Sequence, residues 1–215
     1  MNKHVTIIDY GIGNLRSVAM AFEQWGATIN LTGSANDILK SDRLVLPGVG
    51  AFSDGMSRLQ KKGLLETINK YNRKDRPFLG ICLGMQMLFD SSEEFGITEG
   101  LGLIPGSVVR IPETSSNGVP HKIPHIGWNE LQFPFDSCDW KNTILNGIKQ
   151  TTPVYFVHSF TAQPAQKEVR LADAYYNGRL ISAAVRHNNC YGCQFHPEKS
   201  GKVGLKIIKN FLEIY

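Results

Sequence analysis

Short apolar runs alternate with amphipathic stretches through the first half of the chain. Residues 5–9 form a β-rich run, 29–32 and 43–46 form two more, and 77–81 read as a buried strand. Between them, apolar residues fall at helical spacing. Leu15, Val18, Ala19, Phe22 and Trp25 precede the stop signal Gly26; Phe52, Met56 and Leu59 define a second helix, and residues 64–71 a third. A helical run over 83–89 follows the buried strand without a gap. Strands separated by helices of this length predict βαβ units. From Gly106 onward the helical period fades. Residues 108–111, 128–133, 154–160, 169–176, 180–187 and 191–195 read as strands punctuated by Pro and Gly, and 203–214 as a closing helix. The expected fold is therefore α/β: a mainly parallel central sheet flanked by helices, with an additional antiparallel β layer. No internal repeat, low-complexity stretch or linker divides the sequence, so residues 1–215 are expected to form a single domain.

Composition narrows the class. Of 215 residues, 42% are hydrophobic and 20% charged, a globular balance that argues against disorder. No apolar run approaches the roughly 20 residues that span a bilayer. The net charge is +4, but the basic residues are scattered rather than gathered into the stripe a nucleic-acid binder uses. The four cysteines, Cys82, Cys138, Cys190 and Cys193, are too few for a disulfide scaffold. The N-terminal segment is too short and too soon acidic for a secretion signal, so a reducing cytoplasm is the expected compartment. Each thiol is then a separate question: nucleophile, metal ligand or core filling.

One thiol stands out. Gly80-Ile81-Cys82-Leu83-Gly84 has the form Gly-x-nucleophile-x-Gly between a predicted strand and a predicted helix. That is the pattern of a nucleophile elbow, in which a tight turn lifts the nucleophile from the sheet and flanking glycines make room. The helix start favours thiolate over thiol, and the N–H of Leu83 points toward any oxyanion formed there. The same pattern also fits a core cysteine on a packed βα turn. A second motif is Gln194-Phe195-His196-Pro197-Glu198. Proline biases His196 toward an extended backbone, in which residues i and i+2 face one side. Glu198 then orients the His196 imidazole, and a thiol needs such a base. A third is Pro47-Gly48-Val49-Gly50, a strand ending in a glycine loop. Its Val49 and Gly50 amides could supply a second oxyanion donor, or the loop could be an ordinary βα turn.

Together, Gly-x-Cys-x-Gly-x-Gln, the later His-Pro-Glu and the earlier Pro-Gly-x-Gly resemble the class I, or triad, glutamine amidotransferases. Residues 8–14 (Ile-Asp-Tyr-Gly-Ile-Gly-Asn), 124–129 (Pro-His-Ile-Gly-Trp-Asn), 155–160 (Tyr-Phe-Val-His-Ser-Phe) and 194–200 (Gln-Phe-His-Pro-Glu-Lys-Ser) narrow the likeness. They are similar to the glutaminase subunits of imidazole glycerol phosphate synthases, over nearly the whole chain. The resemblance implies the flavodoxin-like fold of that class, no cofactor and no metal. It implies hydrolysis of L-glutamine to glutamate and ammonia through a thioester on Cys82, with His196 as acid and base and Glu198 orienting it. Leu83, Val49 and Gly50 would donate to the oxyanion, and Gln86, Glu94, Ser159 and Phe160 would line the substrate pocket. It also implies a heterodimer with a (β/α)₈ cyclase that uses the ammonia to make imidazole glycerol phosphate and aminoimidazole carboxamide ribotide in histidine biosynthesis.

A docked cyclase makes physical sense, because ammonia released into water is mostly protonated and useless as a nucleophile. Pro124, His125, Trp128, Asn129 and His158 are the candidates for that interface, although aromatics of this kind serve equally as sheet core. Two other motifs carry less. Gly11-Ile12-Gly13-Asn14-Leu15-Arg16 begins like a dinucleotide fingerprint but has Arg16 where the third glycine belongs. Cys190-Tyr191-Gly192-Cys193 lacks a second ligand pair at zinc-site spacing. Two alternatives stay open: a paralogous glutaminase feeding another synthase, for example in sugar amination, and a catalytically silent regulatory module. An intact Cys82, His196 and Glu198 speaks against the second.

Overall fold

The structure, a computed structural model, describes residues 3–135 and 139–215; Cys138, expected in a polar loop, lies outside them. The first half runs β1 (His4–Ile8), α1 (Leu15–Glu23), β2 (Thr28–Thr32), α2 (Ala35–Lys40), β3 (Leu44–Gly48), α3 (Phe52–Lys61), α4 (Leu65–Asn72), β4 (Phe78–Cys82) and α5 (Leu83–Gln86). The second half runs β5 (Phe89–Ser92), β6 (Thr98–Glu99), β7 (Ile104–Arg110), β8 (His125–Glu130), β9 (Pro153–His158), β10 (Phe160–Pro164), β11 (Arg170–Tyr176), β12 (Arg179–His187), β13 (Cys190–Cys193) and α6 (Gly201–Leu212). Single 3₁₀ turns lie at Lys167–Val169 and Pro197–Lys199.

The central sheet has seven strands in the order β11-β12-β13-β4-β3-β1-β2. β2, β1, β3, β4 and β13 are parallel, as the βαβ pattern predicts, and β12 and β11 continue the sheet antiparallel. Every residue of β3 and β4 is buried. Their near-continuous apolar runs are what a parallel strand covered on both faces requires. Side chains alternate between two apolar layers. Val5, Ile7, Val45, Leu79 and Ile81 face a layer with Phe22, Phe156, Phe195 and Phe211; Leu44, Leu46 and Phe78 face one with Phe52, Tyr71 and Phe89. Among the described residues, no helix is long and apolar enough to cross a membrane.

Four local expectations change. The helix expected over 83–89 stops at Gln86, because Phe89 is buried and enters β5, pairing with Ile104. The strand expected over 154–160 breaks at Ser159, since β9 pairs with β8 while β10 pairs with β7. The strand expected over 128–133 begins at His125 and ends at Glu130. The additional strands also form no single antiparallel layer: β11 and β12 widen the central sheet, β10-β7-β5-β6 make a second, mixed sheet in which β5 runs parallel to β7, and β8 and β9 a two-stranded ribbon. α2, β5 and β6 are elements the pattern does not announce. α2 is six residues long and buries only Ile38, so it has no apolar period to detect. In α1, Asn14 caps the first turn by accepting from the Ser17 N–H, which gives the Gly11–Asn14 loop a structural job.

Candidate active site

Three adjacent parallel strands end together. Gly48 is paired with Cys82 across β3 and β4, and Ile81 with Cys193 across β4 and β13. The chain therefore leaves the sheet at one place three times: into the Val49–Gly50 loop, at Cys82, and toward His196. The carboxyl ends of parallel strands are the general location of sites in open α/β sheets.

Cys82 sits at φ +54°, ψ −113°, between β4 and the short helix α5. A non-glycine residue held outside the common backbone regions costs of order 1–3 kcal/mol and persists only where its surroundings enforce it. Here the flanking glycines let the surrounding backbone pack closely enough to hold it. A Cβ on Gly80 would lie 2.8 Å from the Gly84 carbonyl, and one on Gly84 would drive into the carbonyl oxygen of Leu46. Gly48 is equally constrained, since a Cβ there would meet the Tyr10 hydroxyl at 2.7 Å and Leu83 at 2.9 Å. The Tyr10 hydroxyl in turn donates to the Pro47 carbonyl at 2.9 Å, so the loop after β3 is pressed against the elbow. Gly50 has φ +93°, a conformation that favours glycine. Leu83 is the first residue of α5, where a backbone N–H has no partner within the helix.

His196 leaves β13 in an extended conformation (φ −97°, ψ 99°), as the following proline requires. Pro197–Lys199 then forms a 3₁₀ turn, so the approach of Glu198 to His196 comes from a turn and not from a pleated strand. Nδ1 of His196 lies 2.7 Å from Glu198 Oε1, with both side chains almost wholly buried. Nδ1 is thus committed to the carboxylate, and among the described residues Nε2 makes no hydrogen bond of ordinary length, which leaves it to act on Cys82. Burial alone would push the ring toward its neutral form. Cys82 and Glu198 outweigh it and raise the His196 pKa to about 9. The Ser200 hydroxyl donates to the His196 carbonyl at 2.7 Å and accepts from the Tyr155 N–H at 3.0 Å, pinning the turn to β9.

A cavity of about 310 Å³ opens over these groups. Nine residues expected at the site line it: Val49, Gly50, Cys82, Leu83, Gln86, Glu94, Ser159, Phe160 and His196. Larger clefts of about 500 and 540 Å³ lie elsewhere, away from Cys82. Glu94 Oε2 accepts from the Phe52 N–H at 2.6 Å, so the carboxylate also holds the start of α3. Gln86 Nε2 donates to the Phe160 carbonyl at 3.1 Å and to Gln194 Oε1 at 3.0 Å. The interface candidates divide. Pro124 and Trp128 are exposed, and Asn129 is half-buried and donates to the Tyr175 carbonyl. His125 and His158, interface candidates with sheet core as the equal alternative, are buried, 2% and 6% exposed, and so sit in the core of this chain. They are hydrogen-bonded to each other at 3.0 Å, and His125 stacks between Phe156 and Tyr176. His158 and Pro124 also line the cavity.

Sequence reasoning passed over Gln194 and Lys199. Lys199 lines the cavity; Gln194 is fully buried and places Nε2 3.8 Å from Cys82 Sγ. The available signal was a polar amide inside the apolar run 191–195, since a buried polar side chain needs a specific partner. Cys190 and Cys193 belong to opposite apolar layers, so the CxxC pair faces two sides of one sheet, and burial raises both thiol pKa values, Cys190 to about 12.

A family model described as "Glutamine amidotransferase class-I" matches residues 6–214. The chain is 55% identical over 210 residues to "Imidazole glycerol phosphate synthase subunit HisH 1" of Legionella pneumophila (strain Lens), covering 98% of this chain and 99% of the relative. It is 45% identical over 210 residues to "Imidazole glycerol phosphate synthase subunit HisH" of Geobacillus thermodenitrificans (strain NG80-2), covering 98% and 95%. Among solved structures, "Crystal structure of glutamine amidotransferase" aligns with TM-score 0.72 at 16% identity, covering 97% of both chains. "Structure of PurLQS from Thermotoga maritima" aligns with TM-score 0.70 at 18% identity, covering 99% of both. At these identities the structures speak to the fold.

Proposed function

The chain belongs to the class I glutamine amidotransferase family, and from that premise we infer that it is the glutaminase subunit of an imidazole glycerol phosphate synthase. It hydrolyses L-glutamine to glutamate and ammonia and serves histidine biosynthesis. The observation that carries the chemical part is the strained Cys82 sharing a cavity with an imidazole whose other nitrogen is held by Glu198.

Cys82 Sγ attacks the side-chain amide carbon of glutamine, and the carbonyl electrons move onto oxygen. Backbone N–H groups of Leu83 and of the Val49–Gly50 loop receive that oxyanion; one such donor is typically worth about 10²–10³ in rate. His196, lifted to about 9, arrives protonated near neutral pH. It gives its Nε2 proton to the departing nitrogen, so ammonia leaves and a thioester remains. The now neutral imidazole takes a proton from water, which attacks the thioester. Glutamate departs and Cys82 and His196 return to their starting state. Glu198 holds the ring so that Nε2 faces the sulfur in both halves. Gln86, Glu94, Ser159 and Phe160 receive the substrate.

The ammonia passes to a (β/α)₈ cyclase subunit, and the exposed Trp128 and Pro124, with Asn129 beside them, are the residues that meet it. The protein works in the cytoplasm as a single domain over residues 1–215. The test is glutamine hydrolysis by the purified chain alone, with a cyclase subunit, and with that subunit and its nucleotide ligand. Hydrolysis that rises on adding the cyclase and its ligand is expected. Hydrolysis indifferent to both, with no ammonia transfer, rules out this synthase.

A further inference from the structure

Among the described residues, His196 and Tyr10 are the titratable side chains that act on Cys82; two further polar groups touch Sγ, and they treat its two protonation states oppositely. The Val157 carbonyl oxygen lies 3.9 Å away and can only accept, so it suits a protonated thiol. Gln194 Nε2 lies 3.8 Å away and donates. Such donors are often long before substrate arrives. Deprotonation removes the reason for the Val157 contact and strengthens the one to Gln194, because a donor to a charged acceptor is worth more than one to a neutral acceptor.

The polarity of the Gln194 amide is set by a chain of partners. The Phe160 carbonyl can only accept; it takes one hydrogen of Gln86 Nε2 at 3.1 Å and the Nδ1 hydrogen of His158 at 2.8 Å. His158 Nε2 is thereby an acceptor and takes the Nδ1 hydrogen of His125 at 3.0 Å. The second hydrogen of Gln86 Nε2 goes to Gln194 Oε1 at 3.0 Å, which leaves Nε2 of Gln194 as the group facing sulfur. The Gln194 backbone is itself tied to Ala183. A flip of Gln86 alone would set acceptors against each other at Phe160 and Gln194, and a flip of Gln194 alone would set two donors against each other at Gln86.

We propose that Gln194 is a positioning residue for the nucleophile, its amide locked by Gln86 so that it donates to Cys82 Sγ and favours the thiolate in the orientation for attack. This rests on Cys82 being the nucleophile. The experiment measures the rate of iodoacetamide alkylation of Cys82 against pH, with Cys82→Ala as the blank for the other thiols, beside glutaminase kinetics with the cyclase subunit. Gln194→Met removes the donor, and Gln194→Glu keeps the shape but puts a carboxylate beside sulfur. Met is expected to move the alkylation midpoint up by about one pH unit and lower kcat about tenfold with little change in KM; Glu moves the midpoint further. If neither variant folds, Gln86→Met unlocks the amide with Gln194 in place and should also raise the midpoint.

An unmoved midpoint in a folded variant overturns the proposal, even if its thermal stability falls. A parent enzyme and cyclase that hydrolyse glutamine, with Cys82→Ala inactive, would show the triad reading intact in that case. A parent that hydrolyses no glutamine removes both.

Discussion

At the scale of single residues, the site depends on which nitrogen of His196 is free. Glu198 fixes the answer by holding Nδ1 at 2.7 Å, and Glu198→Gln keeps the shape while removing the charge and the preference for the Nδ1–H tautomer. Turnover of glutamine should fall by about 10²-fold or more with KM changed far less, and steady-state kinetics with the cyclase checks this. An unchanged kcat would remove Glu198 from the triad. His196, Glu198 and Cys82 were legible in the chain because each has a neighbour that explains it: glycines around the cysteine, proline after the histidine. Gln194 had no such neighbour. Its role depends on Gln86 and Cys82, which only the folded sheet brings to it. By sequence His125 and His158 are candidates for the partner interface, with sheet core as the equal alternative, because a block rich in aromatics and His serves either place. The structure buries them: His125 stacks on Phe156 and Tyr176, and His158 is hydrogen-bonded to His125 and to the Phe160 carbonyl, contacts that only the folded sheet brings together.

At the scale of elements, the elbow between β4 and α5 is the feature on which the site stands. Strand and turn are legible from the glycine spacing, but the length of α5 is not. Four residues of helix suffice to aim Leu83, and the chain is then drawn into β5 by the burial of Phe89. Gly84 is where the elbow meets β3. Gly84→Ala forces a methyl group into the Leu46 carbonyl, a backbone neighbour that cannot rotate away. The variant should lose about 3 kcal/mol in urea unfolding, or fold with the elbow displaced and glutaminase lost. A fully stable and fully active Gly84→Ala would show that the elbow tolerates a looser fit. The break at Ser159 was invisible for a similar reason. Residues 154–160 are rich in strand formers, and the two partners β8 and β7, in different sheets, divide the run at Ser159.

At the scale of the whole molecule, four buried groups set the pH range of the fold. Burial holds His125 at about 4 and His158 at about 3, below the ordinary 6.5, so the unfolded chain takes up protons that the native protein refuses. Stability therefore falls as pH drops from about 6.5 toward 4. Asp173, raised to about 6 by burial, keeps its proton in the fold and offsets part of that loss. His196 has the opposite sign. Its pKa of about 9 exceeds 6.5, so its contribution is complete below 6.5 and disappears as pH rises through 9. Thermal unfolding should show highest stability near pH 6.5 with a decline on both sides, and stability that keeps rising from pH 6.5 to 9 would contradict the protonated His196. The parallel sheet was legible because βαβ periodicity is local. The placing of β13 beside β4, which unites Cys82 with His196, joins segments far apart in the chain and is written in no local pattern. The central claim, that Cys82 liberates ammonia for a partner, is tested most directly by Cys82→Ala assayed with the cyclase on two nitrogen sources. Glutamine-dependent synthesis should vanish while synthesis from added ammonium salt continues at the parent rate; glutamine hydrolysis at the parent rate in this variant would contradict the account.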